Sequence, residues 1–362
     1  MTTSEFSSAL TLLTRFGWKP RPGTLRPSLR PPPGPFVPRT RTAQKALLDS
    51  GRALPSQLAN IRRDFSFGSR PTIVLAGFVP DAADQVLLLR HELTRHGCVY
   101  YVHYSRQGFS TDLICAQLDD LVAELASRHG QRPYLLTVSF GCGLLLEWLR
   151  RSRLQYRAPD LAGVLLISPV ACAADLVNPV LAKPDTLVGR ALQPFLDAVG
   201  TITPEGLQKS RTVFTRMFDA GAQSRETLGA LFSPADLAAL RRRVAEAISG
   251  IDPAGALERV RSLTFMPGLQ DLADRGIPVT QAPALVLYAE KEGSVLTATS
   301  PTRLALERAL STLFPRGRLC EVTNPSGSPV QHASLIFHAA NFRPYFQALY
   351  AEQKNRRWPA AA

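Results

Sequence analysis

The sequence predicts an α/β protein in which a mostly parallel β-sheet is flanked by helices. From residue 72 onward, short apolar runs rich in β-branched residues alternate with amphipathic helical patterns. The runs lack the polar alternation of a half-exposed strand, as expected for strands that are buried on both faces. Helical patterns alone fill residues 173–280, which indicates an all-helical insertion into the sheet domain.

The individual elements follow from these patterns. The predicted strands are Thr72–Ala76, Cys98–Tyr104, Tyr134–Val138, Gly163–Ser168, Ala284–Tyr288 and Arg318–Thr323, with an edge strand at Arg62–Phe67. The predicted helices are Ala82–His96, Leu113–Ser127, Phe140–Arg150, Leu187–Val199, Glu205–Ala220, Pro234–Ser249, Ala254–Leu263, Thr302–Phe314 and a last one from near Ala333. The chain therefore divides into an N-terminal arm (1–60), a first part of the core (61–172), the insertion (173–280) and a second part of the core (281–362).

The N-terminal arm is rich in proline and in positive charge. Residues 19–38 hold eight prolines, which exclude a helix or a central strand there. Residues 1–70 hold 12 Lys and Arg against three Asp and Glu, most of the net charge of +13. We expect a solvated arm that makes at most a peripheral contact with anionic membrane, and no specific binding of nucleic acid.

Several function classes are not indicated. No apolar run approaches the ~20 residues of a membrane-spanning helix, and no signal peptide is recognisable, so we expect a cytoplasmic protein. The five cysteines form no C-x-x-C pair and no zinc-like cluster with histidine. No glycine-rich nucleotide motif occurs either, so we expect no cofactor and no metal.

Ser139 is the candidate nucleophile. It lies in the heptapeptide TVSFGCG, from Thr137 to Gly143, where a predicted strand turns into a predicted helix. Small residues in such a turn let strand and helix pass closely and expose the serine above the sheet. The pattern departs from G-x-S-x-G because Thr137 occupies the first position. A serine and glycine turn without chemistry is the alternative.

Three further segments, Leu75–Val79, Leu287–Val295 and Gln331–His338, match a known family in the same order. The chain resembles the α/β-hydrolase superfamily, especially members with a helical lid, over residues 70–172 and 281–350. The resemblance implies that Ser139 is the nucleophile, His332 the general base and Glu292 the acid that orients it. It also implies that the backbone N–H groups of Phe78 and Phe140 form an oxyanion hole. Ala76 replaces the histidine that often precedes the glycine in this family, which leaves the backbone donor in place.

Alternatives remain for two of these roles. Glu290, two residues before Glu292, and Asp175, after the fourth strand, are rival acids. His338 is the rival base, while the four histidines that precede Ser139 are expected to be structural.

The insertion suggests the substrate. Its candidate lid residues are apolar: Leu187, Phe195, Leu196, Val213, Phe214, Met217, Phe218, Leu228 and Phe232. An apolar lid above a serine nucleophile favours a hydrophobic ester or thioester as substrate. An esterase or lipase-like hydrolase is the main hypothesis. An acyltransferase and a non-catalytic binding protein of the same fold are the alternatives.

Overall fold

An eight-stranded sheet runs through the residues that the computed structural model describes, 31–221, 233–325 and 327–352. Its strand order is β1-β2-β4-β3-β5-β6-β7-β8. In chain order the strands are β1 (Gly34–Pro35), β2 (Asn60–Ser69), β3 (Thr72–Leu75), β4 (Gly97–His103), β5 (Tyr134–Val138), β6 (Gly163–Ile167), β7 (Ala284–Ala289) and β8 (Gly317–Val322). The strands from β3 to β8 are parallel, and β2 runs antiparallel to both neighbours. The predicted parallel sheet is confirmed.

The central strands carry no exposed residue. Every residue of β5 and of β6 is buried, which explains why their sequences are continuous apolar runs. Parallel pairing brings the carboxyl ends of β5, β6 and β7 to one edge of the sheet. The residues that follow these three strands therefore meet at that edge, where ligands bind in sheets of this kind.

Helices of the described residues accompany the parallel strands. They are α1 (Thr42–Asp49), α2 (Ala82–Gln85), α3 (Arg90–Thr94), α4 (Thr111–His129), α5 (Phe140–Leu154), α6 (Leu187–Leu196), α7 (Pro204–Gly221), α8 (Pro234–Ser249), α9 (Pro253–Phe265), α10 (Gln270–Asp274), α11 (Pro301–Leu313) and α12 (Ala339–Glu352). Helix α4 shows how the sequence sets the ends: the Ser110 side chain caps its first turn, and Gly130 at φ +58° ends it. Helix α4 packs between α1 and α5.

Two helix predictions were wrong in detail. The pattern Ala82–His96 predicts one helix, but the chain forms α2, a 3₁₀ turn at Leu87–Leu89 and α3. The run Val86–Leu89 is buried throughout, so the one-sided pattern of an amphipathic helix does not apply to it. The last helix begins at Ala339 rather than near Ala333, because Ala333 has φ +54° and cannot continue a right-handed helix.

Part of the predicted arm packs on the sheet domain. Strand β1 pairs with β2, so β2 is not the edge strand that the sequence predicts. Helix α1 lies against α4, where the Asp120 carboxylate accepts hydrogen bonds from the N–H groups of Ala43 (2.9 Å) and Gln44 (3.0 Å). Asp120 thereby caps a helix for which the N-terminal residue Arg41 supplies no side-chain cap. Residues 1–30 of the arm lie outside the described residues.

The insertion between β6 and β7 forms helices α6 to α10 and no strand within its described residues. Residues 222–232, which include the predicted lid residues Leu228 and Phe232, lie outside them. Glu258 of α9 ties the insertion to the loop after β4, because its Oε2 accepts hydrogen bonds from the Phe109 N–H (2.6 Å) and from Gln57 Nε2 (3.2 Å). No described helix is both long and apolar enough to cross a membrane.

The docking of α1 can be tested at Asp120. Replacing Asp120 with Ala leaves the first turn of α1 uncapped, so we expect the free energy of unfolding to fall by about 1–2 kcal/mol. Urea denaturation measures this change. Asp49→Ala, at an exposed position of the same helix, is the control and should change stability by less than about 0.5 kcal/mol. Equal stability of both variants would contradict the capping role.

Candidate active site

Ser139 occupies a strained turn between β5 and α5. Its backbone angles, φ +49° and ψ −115°, lie outside the regions that a residue with a side chain normally adopts. The turn is held from both sides: the Ser139 N–H donates to the Ile167 carbonyl (2.8 Å), and its own carbonyl accepts from the Cys142 N–H (2.9 Å). The surrounding backbone therefore stabilises a conformation that is unfavourable by itself.

The residues beside Ser139 fit the close passage of strand and helix. A Cβ atom on Gly141 would lie 2.5 Å from the carbonyl oxygen of Ala76, so a larger residue would collide with the backbone. Thr137, which replaces the usual first glycine, is buried and donates from its hydroxyl to the Leu165 carbonyl (2.9 Å). The larger residue is accommodated because its polar atom finds a partner on the adjacent strand.

Ser139, His332 and Glu292 form one hydrogen-bonded chain. The Ser139 Oγ lies 2.9 Å from His332 Nε2, and His332 Nδ1 contacts Glu292 Oε2. A carboxylate accepts hydrogen bonds, so Nδ1 carries the proton and Nε2 is left to accept from the serine hydroxyl. The structure thus brings together three residues that the sequence separates by almost 200 positions.

The Glu292 carboxylate is buried and fully engaged. Its side chain is 3% exposed, and its second oxygen accepts hydrogen bonds from the Ala289 N–H (2.6 Å) and from Ser168 Oγ (2.6 Å). Burial raises the pKa of Glu292, but the neighbouring His332 and these hydrogen bonds outweigh burial, so the net pKa is lowered. The carboxylate is therefore ionised at neutral pH.

Ser168 is a member of the site that the sequence analysis missed. Its hydroxyl donates to Glu292 and accepts a hydrogen bond from the N–H of Ala333 (3.1 Å), the residue that follows His332. The loop that carries His332 is held at a second point, because the Lys291 N–H donates to the Val330 carbonyl (2.9 Å). The sequence feature that could have identified Ser168 is its position directly after β6, at the same edge of the sheet as Ser139.

The two predicted oxyanion donors are adjacent to Ser139. Phe140 follows it in sequence, and the Phe78 ring stacks on the Phe140 ring with 4.4 Å between centroids. Gln85 fixes the residue before Phe78, because its Oε1 accepts from the Gly77 N–H (2.9 Å). Neither the Phe78 nor the Phe140 N–H donates to any acceptor among the described residues.

The fold matches many solved structures. An esterase from Rhodococcus sp. ECU1013 aligns with a TM-score of 0.55 over 81% of this chain and 95% of its own, at 14% identity. A bromoperoxidase from Bacillus anthracis aligns with a TM-score of 0.55 over 81% and 96%, at 16% identity. A membrane phospholipase A aligns with a TM-score of 0.55 over 98% and 100%, at 16% identity.

The chain has the α/β-hydrolase fold. No protein-family model matches the sequence, and no curated protein matches it significantly. The comparisons therefore show a likeness of fold without a significant match in sequence.

The two rival acids of this α/β-hydrolase-fold chain have other partners. Glu290 Oε2 accepts a long hydrogen bond from the Asn324 N–H (3.4 Å). Asp175 is fully buried and accepts from the hydroxyls of Ser300 (2.7 Å) and Thr302 (2.7 Å), which joins the loop after β6 to the start of α11. No hydrogen bond connects either carboxylate to His332 within the described chain.

The rival base, His338, is engaged elsewhere. It is buried, and its ring nitrogens contact Ser334 Oγ (3.0 Å) and the Ser328 carbonyl (3.2 Å). A carbonyl only accepts, so Nε2 carries the proton and Nδ1 accepts from the Ser334 hydroxyl. Burial lowers the pKa of His338, so the ring is neutral at neutral pH and acts as a structural link.

An apolar cavity of about 320 Å³ opens beside Ser139 and His332. Four of the predicted lid residues line it: Leu187, Phe214, Met217 and Phe218. Phe195 lines a neighbouring cavity of about 50 Å³. Within the described residues, no group of three or more His, Cys, Asp or Glu side chains is arranged to hold a metal ion.

The three candidate acids can be separated by isosteric substitution. Glu292→Gln leaves His332 without a charged partner and with an amide beside Nδ1. We expect kcat for a p-nitrophenyl ester to fall by about 10²–10⁴-fold, while circular dichroism shows an intact fold. Glu290→Gln is the matched control, and its kcat should stay within about twofold of the unaltered protein.

Asp175→Asn should act on stability instead of turnover. It removes charge from a carboxylate that accepts several buried hydrogen bonds. We therefore expect the free energy of unfolding, measured by thermal denaturation, to fall by about 1–3 kcal/mol. The assignment is wrong if Glu290→Gln abolishes turnover and Glu292→Gln does not.

Proposed function

We propose that the protein is a serine hydrolase that cleaves a carboxylic ester or thioester of an apolar acyl group. The observation that carries this proposal is the continuous hydrogen-bonded chain from Ser139 through His332 to Glu292. Solved structures with the same fold include esterases and a phospholipase A, which supports ester cleavage. The proposal extends to mechanism and substrate, which the likeness of fold leaves open.

In the first step, Ser139 Oγ attacks the carbonyl carbon of the bound ester. Its proton passes to His332 Nε2, because that nitrogen is the free acceptor of the neutral ring. Glu292 holds the Nδ1 proton in place and stabilises the positive charge that forms on the ring. A lowered pKa for Glu292 suits this role, because the carboxylate must remain ionised beside the imidazolium.

The attack places negative charge on the former carbonyl oxygen. The backbone N–H groups of Phe78 and Phe140 would bind this oxygen, and preorganised donors of this kind contribute about 10²–10³-fold each to the rate. The tetrahedral intermediate collapses when His332 returns the proton to the leaving alcohol or thiol. An acyl group then remains on Ser139, and water activated by the same histidine releases the carboxylic acid.

The cavity supports the substrate class. Its wall next to Ser139 is formed by aliphatic and aromatic side chains of α7 and the loops around it, including Phe214 and Met217. Such a wall binds an apolar acyl chain by removing it from water, and each buried methylene group contributes about 0.8 kcal/mol of binding free energy. The cytoplasmic compartment and a contact of the basic arm with anionic membrane stay predictions.

Ser139→Ala tests the proposal. We expect turnover of p-nitrophenyl butyrate to fall by at least about 10³-fold, because the covalent step is lost. Ser311→Ala is the matched control: Ser311 is an exposed serine of α11 outside the cavity, and its variant should keep turnover within about threefold. Analysis of products with a competing alcohol present distinguishes hydrolysis from acyl transfer. Unchanged turnover in a folded Ser139→Ala variant would overturn the proposal.

A further inference from the structure

Arg259 of α9 is a buried arginine in the helical insertion, and no ion pair within the described residues balances its charge. Arg259 is 4% exposed. The negative charge of Asp81 acts on the pKa of Arg259, but Asp81 forms its ion pair with Arg106 (2.9 Å). Burial lowers the pKa of Arg259 to about 10, which still leaves the group charged at neutral pH. Burying a charge that lacks an ion pair is unfavourable, so we expect Arg259 to have a specific role.

The guanidinium donates to two backbone carbonyls of the sheet domain. Nη1 donates to the Phe78 carbonyl (2.9 Å), and Nη2 donates to the Ser105 carbonyl (2.9 Å). Its Cζ atom also lies 5.3 and 5.6 Å from the ring centroids of Tyr104 and Phe109. A planar fork of donors with aromatic contacts is a geometry that arginine supplies and lysine does not.

The contact with the Phe78 carbonyl fixes one of the two peptide groups that flank the one carrying the Phe78 N–H. On one side, the Gly77 N–H is held by Gln85, and the preceding Ala76 carbonyl accepts from the Tyr104 hydroxyl (2.8 Å). On the other side, the Phe78 carbonyl is held by Arg259. The two peptide groups that flank the Gly77–Phe78 peptide are thus both fixed, which limits its rotation and so sets the direction of the Phe78 N–H.

The aromatic rings beside Arg259 also reach the second donor. Tyr104 and Phe109 contact the Phe140 ring, with centroids 5.9 and 5.6 Å apart, and Phe140 stacks on Phe78. Both candidate oxyanion donors therefore belong to residues of one aromatic cluster, and Arg259 lies against it. The insertion contributes this arginine, whereas the two donors belong to the sheet domain.

We propose that Arg259 is a positioning residue that holds the Phe78 N–H in the direction that binds the oxyanion. This proposal rests on the proposed function, because it assigns a role within the same reaction. It makes formation of the oxyanion hole depend on the docking of α9 onto the sheet domain. The residue acts on the transition state through Phe78 and does not touch the substrate itself.

Arg259→Met tests the proposal, because it keeps an unbranched apolar stem and removes both donors. A trifluoromethyl ketone analogue of the ester forms a tetrahedral adduct whose oxygen needs the oxyanion hole, whereas an unreactive ether analogue does not. We expect the Ki of the trifluoromethyl ketone to rise by about 10–100-fold and kcat to fall by a similar factor. The Ki of the ether and the KM should change by less than about threefold.

Arg261→Met is the matched control on the same helix. Arg261 donates to the Ala198 carbonyl within the insertion (3.0 Å), so its removal should leave both inhibition constants and kcat within about threefold. Arg259→Lys keeps charge and stem but cannot donate to both carbonyls in the same geometry, so we expect a loss of trifluoromethyl ketone affinity of about 3–30-fold. This variant carries the test if Arg259→Met does not fold.

Two results would overturn the proposal. One is a folded Arg259 variant that binds the trifluoromethyl ketone as tightly as the unaltered protein. The other is an equal loss of affinity for both analogues, which would show a general collapse of the cavity. Failure of the proposed function looks different, because the unaltered protein would then form no adduct at Ser139 with the trifluoromethyl ketone.

Discussion

The buried carboxylate of Glu292 holds three separate loops in one place. One oxygen contacts His332 of the loop after β8, while the other accepts from Ser168, which follows β6, and from the backbone at Ala289, the end of β7. Removing the carboxylate would leave buried donors without an acceptor at several points at once. The relation between Ser139 and His332 depends on this carboxylate, because the ring would otherwise be free to rotate away from the serine.

Backbone strain is concentrated around the same carboxylate. Three non-glycine residues here have positive φ angles: Ser139 (+49°), Ser168 (+48°) and Ala333 (+54°). Each conformation is unfavourable by about 1–3 kcal/mol, so the surrounding structure must hold it. The hydrogen bond between Ser168 Oγ and the Ala333 N–H joins two of these residues directly. Strain of this kind keeps the hydroxyl of Ser139 and the ring of His332 preorganised, which suits a reaction in which charge develops between fixed groups.

Local patterns in the sequence were sufficient for the sheet and for the position of Ser139. Each apolar run from β3 to β8 predicts its strand to within about two residues, and the turn after β5 identifies the serine because small residues follow it. The contacts of Ser168 and Arg259 were not predictable in this way. Both act through partners that lie more than 100 residues away, and neither residue type is unusual in its local context. The break in the helix over Ala82–His96 was missed for a related reason, since burial on all sides erases the periodic signal.

The most direct test of the account is to find the acyl group on Ser139. The protein is mixed with a p-nitrophenyl ester and quenched in acid within milliseconds, and its peptides are then analysed by mass spectrometry. The account predicts the mass of one acyl group on the peptide that contains Ser139, and none on this peptide in the Ser139→Ala variant. An acyl group on one of the five cysteines, or turnover with Ser139 never modified, would contradict it.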